Sequence, residues 1–145
     1  MSCMFYGCYS LTSIDLSSFN TSKVYDMFAM FYNCSSLTSL DLRNFNTSLI
    51  ESMRGMFHDC SSLITLDIRN FNTKSVKTMK VAFYNCHSLI SLDLSNFNTS
   101  LVTDMENMFG NCSSLVYLNL KSFTVNNNVN TNYMFSSTPT HFFFS

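Results

Sequence analysis

Met-Phe recurs along this chain at a fixed step of 26 residues, and that period constrains the fold more than any other feature. Met4-Phe5, Met30-Phe31, Met56-Phe57, Ala82-Phe83, Met108-Phe109 and Met134-Phe135 align without gaps. Cys8, Cys34, Cys60, Cys86 and Cys112 keep the same step. So do Leu11, Leu37, Leu63, Leu89 and Leu115, and Phe19, Phe45, Phe71, Phe97 and Phe123. A fixed period in the range of about 20–50 residues marks a solenoid, whose coils bury their apolar faces only against one another. The repeats run 4–29, 30–55, 56–81, 82–107 and 108–133, about five in all. They make one repeat domain over 1–145, with 134–145 a partial repeat or makeshift C-terminal cap ending Phe142-Phe143-Phe144.

The period explains an odd composition. Met recurs at two repeat positions, and eleven of the fifteen Phe sit at two others. Such stripes are core, each residue covered by its counterparts above and below. With three Gly and one Pro (Pro139) in 145 residues, the turns fall to Asn, Ser and Thr.

Charge narrows the function. A formal net charge of −1 leaves no basic patch to neutralise phosphates, which removes nucleic acid from the partners. Lys74, Lys77 and Lys80 form the densest basic cluster, at helical spacing, and read as a solvated helix face. No apolar run approaches the ~20 residues of a membrane span. The start, MSCMFYGCYS, has neither the basic region nor the apolar stretch of a signal peptide, so none is expected in this chain.

Two patterns divide each repeat. Around Leu37-Thr-Ser-Leu40-Asp-Leu42 the apolar residues alternate, predicting a short strand. From Thr47 to Cys60 they recur at steps of three and four, through Ile50, Met53, Met56 and Phe57, predicting a helix of two to three turns. Thr47 or Ser48 would cap its start, as would Thr21/Ser22 and Thr99/Ser100. The expected fold is an α/β solenoid in which equivalent strands of successive coils run parallel.

The string L-x-x-L-x-L-x-x-F resembles the strand segment of leucine-rich repeats. The fuller unit M-F-x-x-C-x-S-L-x-x-L-D-L-S-x-F-N-T-S-x-V-x-x-M resembles the 26-residue repeat of bacterial surface proteins. That group includes Listeria- and Mycoplasma-type surface lipoproteins and is related to BspA-like leucine-rich repeats. The resemblance spans residues 4 to about 125. It implies a leucine-rich-repeat-like right-handed coil with a curved parallel sheet on one face and short helices on the other. It also implies a role in adhesion or recognition at a cell surface or outside the cell. One departure concerns the Asn ladder of leucine-rich repeats, whose usual place is taken by Phe45, with Asn46 one step later.

Few residues are candidates for chemistry. Five of six Cys share one ladder position, and five equivalent sites cannot all pair, so stacked free thiols are expected. Cys3, outside the ladder, is the expected reactive thiol. There is no C-x-x-C for zinc or redox work. His58, His87 and His141 share no repeat position, have no triad or metal spacing, and are expected on turn surface with no role.

Asp15, Asp41, Asp67 and Asp93 form the sharper signal. They lie between inward Leu residues and therefore project onto the exposed sheet face, continued by Asn119. Carboxylates about 5 Å apart repel unless a cation offsets them, and Arg43 and Arg69 stand two residues on to do so. Ser39, Thr65 and Ser91 flank the row with hydroxyls. The candidate ligand face is thus Asp15, Asp41, Asp67, Asp93, Arg43, Arg69, Ser39, Thr65 and Ser91. It either keeps the sheet soluble or takes a protein or glycan, with no cofactor other than Ca²⁺ on the Asp row.

No paired acid and base, nucleophile elbow or phosphate loop is present, so an enzyme is not expected. The expected function is a non-catalytic scaffold that binds a protein or a glycan. The alternative is a structural element that self-associates through uncapped solenoid ends.

Overall fold

The structure, a computed structural model, describes residues 1–139; the expectations for His141 and for the Phe142–Phe144 tail lie outside these residues. Four three-residue strands, β1 (Ser39–Asp41), β2 (Thr65–Asp67), β3 (Ser91–Asp93) and β4 (Tyr117–Asn119), form one parallel sheet in the order β1-β2-β3-β4. Their register is set by the repeat: Leu40 pairs with Leu66 and Leu92 with Leu118. Each strand buries its central Leu and exposes the residue before it, because side chains alternate across a pleat. A second parallel row of bridges links Asp26, Ser52, Thr78, Asp104 and Asn130, about half a repeat further along each coil.

The expected helices are absent from the described residues. The wall from Met53 to Cys60 is instead a run of tight turns. Alternate amides bond in two directions. Gly55, Phe57 and Asp59 donate to Lys80, Ala82 and Tyr84 of the next coil at 3.0, 2.9 and 2.9 Å. Met56, His58 and Cys60 donate three residues back within their own coil. A helix would send every amide to the residue four before it, so this backbone cannot be helical.

Two left-handed residues per coil complete the turns: φ is +60° at Gly55 and +59° at Asp59, and the pair recurs at Val81/Asn85 and Asn107/Asn111. A helix of L-residues does not pass through that region. The three-and-four spacing arises because each tight turn returns a side chain to the axis. Lys74, Lys77 and Lys80 accordingly share no helix face.

Those axial side chains fill the core. Phe5, Phe31, Phe57, Phe83, Phe109 and Phe135 stack with centroids 5.4, 5.8, 5.5, 5.6 and 5.6 Å apart. Met27, Met30, Met53, Met56, Met79, Met105 and Met108 are fully buried. The expectation of a Met/Phe core is met.

Polar ladders knit the coils. Thr47 does not cap a helix. Its hydroxyl donates to the Asn72 carbonyl (3.2 Å) and accepts the Asn72 amide (2.7 Å), so it stands in for a peptide group between two coils. Thr21, Thr73 and Thr99 do the same, and all four are buried. An Asn ladder also exists, one residue before the Phe. Asn44 Nδ2 reaches the Leu16 and Ser17 carbonyls at 3.0 and 3.1 Å, and Asn70 and Asn96 repeat the reach into the preceding coil.

The scarcity of Gly and Pro is answered by side-chain turns. Asn46 Oδ1 accepts the Ser48 amide and Asp41 Oδ1 accepts the Arg43 amide, and both patterns recur coil after coil. Short Asx turns of this kind replace the freedom Gly would supply.

Candidate binding face

The strands place two rows on one face, exposed except at the half-buried Asp93 and Asn119. Ser39, Thr65, Ser91 and Tyr117 form the first, and Asp41, Asp67, Asp93 and Asn119 the second. Asp15 continues the acidic row one coil earlier and is exposed. Parallel strands space such rows by about 4.8 Å, so the face offers the same groups at a fixed pitch.

The acidic row is not uniform. Arg43 grips Asp41 with Nε on Oδ1 at 2.9 Å and Nη2 on Oδ2 at 2.6 Å. Arg69 grips Asp67 likewise at 2.9 and 2.9 Å. The bidentate hydrogen bonds, with the backbone amide of the same Arg, hold the carboxyls of Asp41 and Asp67 down at about 2. Asp15 is lowered too, mainly by the Ser17 amide bonded to it. Asp93 accepts the Ser95 amide at 2.9 Å and, like Asp15, enters no ion pair among the described residues. The sequence expectation of Arg43 and Arg69 as neutralisers of the central pair is therefore realised within each coil.

Two open depressions lie on this face. One is bordered by Ile14, Asp15, Asp41, Arg43 and Asn44, the other by Thr65, Asp67, Arg69, Ser91, Asp93 and Tyr117. All nine expected face residues are thus on one surface, and all but Ser39 border a depression. Sequence reasoning passed over Tyr117, which is 43% exposed and stands where the earlier coils carry Ser or Thr. Its departure from the row was the signal. Chemically the face can donate and accept hydrogen bonds. Among the described residues no three His, Cys, Asp or Glu side chains gather to hold a metal ion.

Elsewhere the thiols are inward. Cys34, Cys60, Cys86 and Cys112 are free and buried. Each Sγ donates to a Phe carbonyl 3.1 Å away. Burial pushes Cys34 up to about 11 and Cys112 up to about 12, far from a reactive thiolate. Thr138 takes the Cys place in the last described coil and donates to the Phe109 carbonyl. Cys3 is exposed.

His58 departs from its expected place on open turn surface. It is half-buried, stacked on Tyr32 (4.3 Å) and tilted against Tyr84 (5.0 Å), extending a column that begins at Tyr6. Burial lowers its pKa, while Asp59, with Oδ2 2.9 Å from Nδ1, opposes the shift. That contact is too poorly aligned to count as a hydrogen bond.

The sequence model of a family described as Mycoplasma protein of unknown function, DUF285, matches residues 1–91 and again 37–142. The two matches overlap, as a repeat requires. Comparison with curated proteins gave no match. No helix among the described residues is long and apolar enough to cross a membrane.

Proposed function

The chain belongs to the Mycoplasma protein family of unknown function DUF285, and from that premise we propose that it is a non-catalytic repeat scaffold binding a protein or a glycan at a cell surface. The observation that supports this most is the sheet face, where rows of hydroxyls and carboxylates follow the strand register from coil to coil. The other ladders described above, of Phe, Met, Cys and Thr, are consumed by packing or by bonds between coils, so variation there would cost stability. Variation on the sheet face is free to follow a partner. Asp41 and Asp67, held ionised by their Arg neighbours, are poorly placed to move protons near neutral pH. The likeness of the repeat to BspA-like surface proteins points the same way.

The test is capture of extracellular-matrix proteins and glycans from a mixed panel, with and without Ca²⁺, by the purified protein and by a variant carrying Asp41→Ala, Asp67→Ala and Asp93→Ala. Capture lost in the variant supports the sheet face as the site, and loss on removing Ca²⁺ assigns the ion to the Asp row. Equal capture by both proteins removes the sheet face from the reading.

A second reading, assembly by stacking of coils, is favoured by one observation. Phe5, Leu11, Ile14, Phe19 and Val24 of the first coil are only partly buried. Light scattering decides it, since a strict monomer at high concentration ends that reading.

A further inference from the structure

About half a repeat away from the sheet, beside the Asp26, Ser52 and Thr78 bridges, lies an open depression of about 600 Å³. Two of its residues break the repeat. Where Tyr25 stands the next coils carry Glu51, Lys77 and Thr103, and where Phe28 stands they carry Arg54, Lys80 and Glu106. Packing therefore requires an aromatic ring at neither place. Tyr25 is 70% exposed, and its side chain makes no hydrogen bond or ring contact among the described residues. An exposed ring that the packing of the coils does not use is available to a ligand.

Polar groups surround the ring. The Arg54 guanidinium lies 5.7 Å over the Phe28 ring, with no carboxylate in ion-pairing distance among the described residues. Its forked donors are therefore still available. Lys77 and Glu51 pair with each other at 2.6 Å. Asp26 accepts the Phe28 amide through Oδ1 and the Ser2 hydroxyl through Oδ2, which leaves each oxygen a further lone pair. Two acids and two bases line the depression, so it carries no net field to draw an anion.

We propose that this depression, with Tyr25 as its platform and Arg54 and Asp26 as its polar flank, binds an uncharged sugar ring of a glycan. A hexose has an apolar C–H face that suits the negative face of an aromatic ring. Its vicinal hydroxyls suit one forked donor and one carboxylate acceptor side by side. The site is separate from the sheet face and does not depend on it.

The experiment is a glycan array carrying neutral, sialylated and sulfated chains, together with a peptide panel, probed with the wild-type protein, Tyr25→Ala, Arg54→Gln and the triple Asp variant of the sheet face. The expected result is capture of neutral glycans that Tyr25→Ala weakens about tenfold. Thermal melting checks the variants, and with so exposed a side chain Tyr25→Ala keeps the wild-type transition. Neutral glycan capture that survives Tyr25→Ala overturns the proposal, and if the triple Asp variant abolishes it the sheet face is the glycan site instead. Capture confined to acidic glycans or to peptides, or no capture, also overturns it.

Discussion

Within one coil, residues 53–60 and residues 65–69 form two walls built on opposite terms. In the first, Met53, Met56, Phe57 and Cys60 are fully buried, and alternate amides cross to the next coil. In the second, a three-residue strand buries Leu66 and turns Thr65, Asp67 and Arg69 outward. The wall with helical spacing carries the packing, and the wall that looks like ordinary strand carries the exposed chemistry. Each wall is knitted to its neighbours by backbone hydrogen bonds, so the difference lies in what the side chains do. Stability should respond sharply to the first wall and weakly to the second.

Phe57→Ala offers the hardest test of that contrast. The ring is fully buried between Phe31 and Phe83, and its loss should cost about 3–5 kcal/mol in a denaturant titration. A cost below that of a surface substitution would break the comparison.

Next comes Thr47→Val, which keeps the shape but strands both the Asn72 amide and carbonyl; about 1–3 kcal/mol should be lost by the same measurement. Thr47→Ser retains the hydroxyl and should lose less. Equal losses would mean that the methyl, and not the bridge, matters.

A gain is expected at Val81, a β-branched residue at φ +49° where the next coil has Asn107. Val81→Asn should raise stability by about 1 kcal/mol, because Asn tolerates the left-handed region that Val resists. A lower melting temperature would show that the Val side chain contributes more by packing than it costs in strain.

The smallest effect belongs to the sheet wall. Asp41 and Asp67 ionise at about 2 in the fold instead of the ordinary 3.8. Their folded values are depressed, so their contribution is complete above the ordinary value and fades as pH falls from 3.8 toward 2. Asp41→Asn should flatten that acid limb slightly, and added salt should hide the difference because both groups are exposed. A steep change would make the sheet wall as structural as the other.

Much of this was legible in the residues. The period gave the stacking, the Met and Phe columns gave the core, and the low Gly and Pro content pointed to turns built on Asn, Ser and Thr, to which the structure adds Asp. The Asp41/Arg43 and Asp67/Arg69 pairs could be read from their spacing. What misled was the run from Thr47 to Cys60. Apolar steps of three and four fit both a helix and a chain of tight turns, and only the backbone conformation separates them. A signal was present at positions 7, 33, 59, 85 and 111, which read Gly, Asn, Asp, Asn and Asn. Apart from Gly these are the residues that most readily enter the left-handed region. The Asn ladder was missed for a smaller reason: it sits one residue before the Phe that occupies its usual place.

The sequence by itself determined the coil length, the residues that face the axis and the groups that stand exposed on the strands, because each follows from a period and an alternation that any folded form must respect. Only the tertiary structure decided that Thr47 bridges two coils, that His58 lies between two tyrosines and that Tyr25 borders a depression with Arg54. Those facts join residues about 25 to 29 positions apart. Such pairings come into being when one coil is laid on the next, and no local pattern in the chain encodes which atoms then meet.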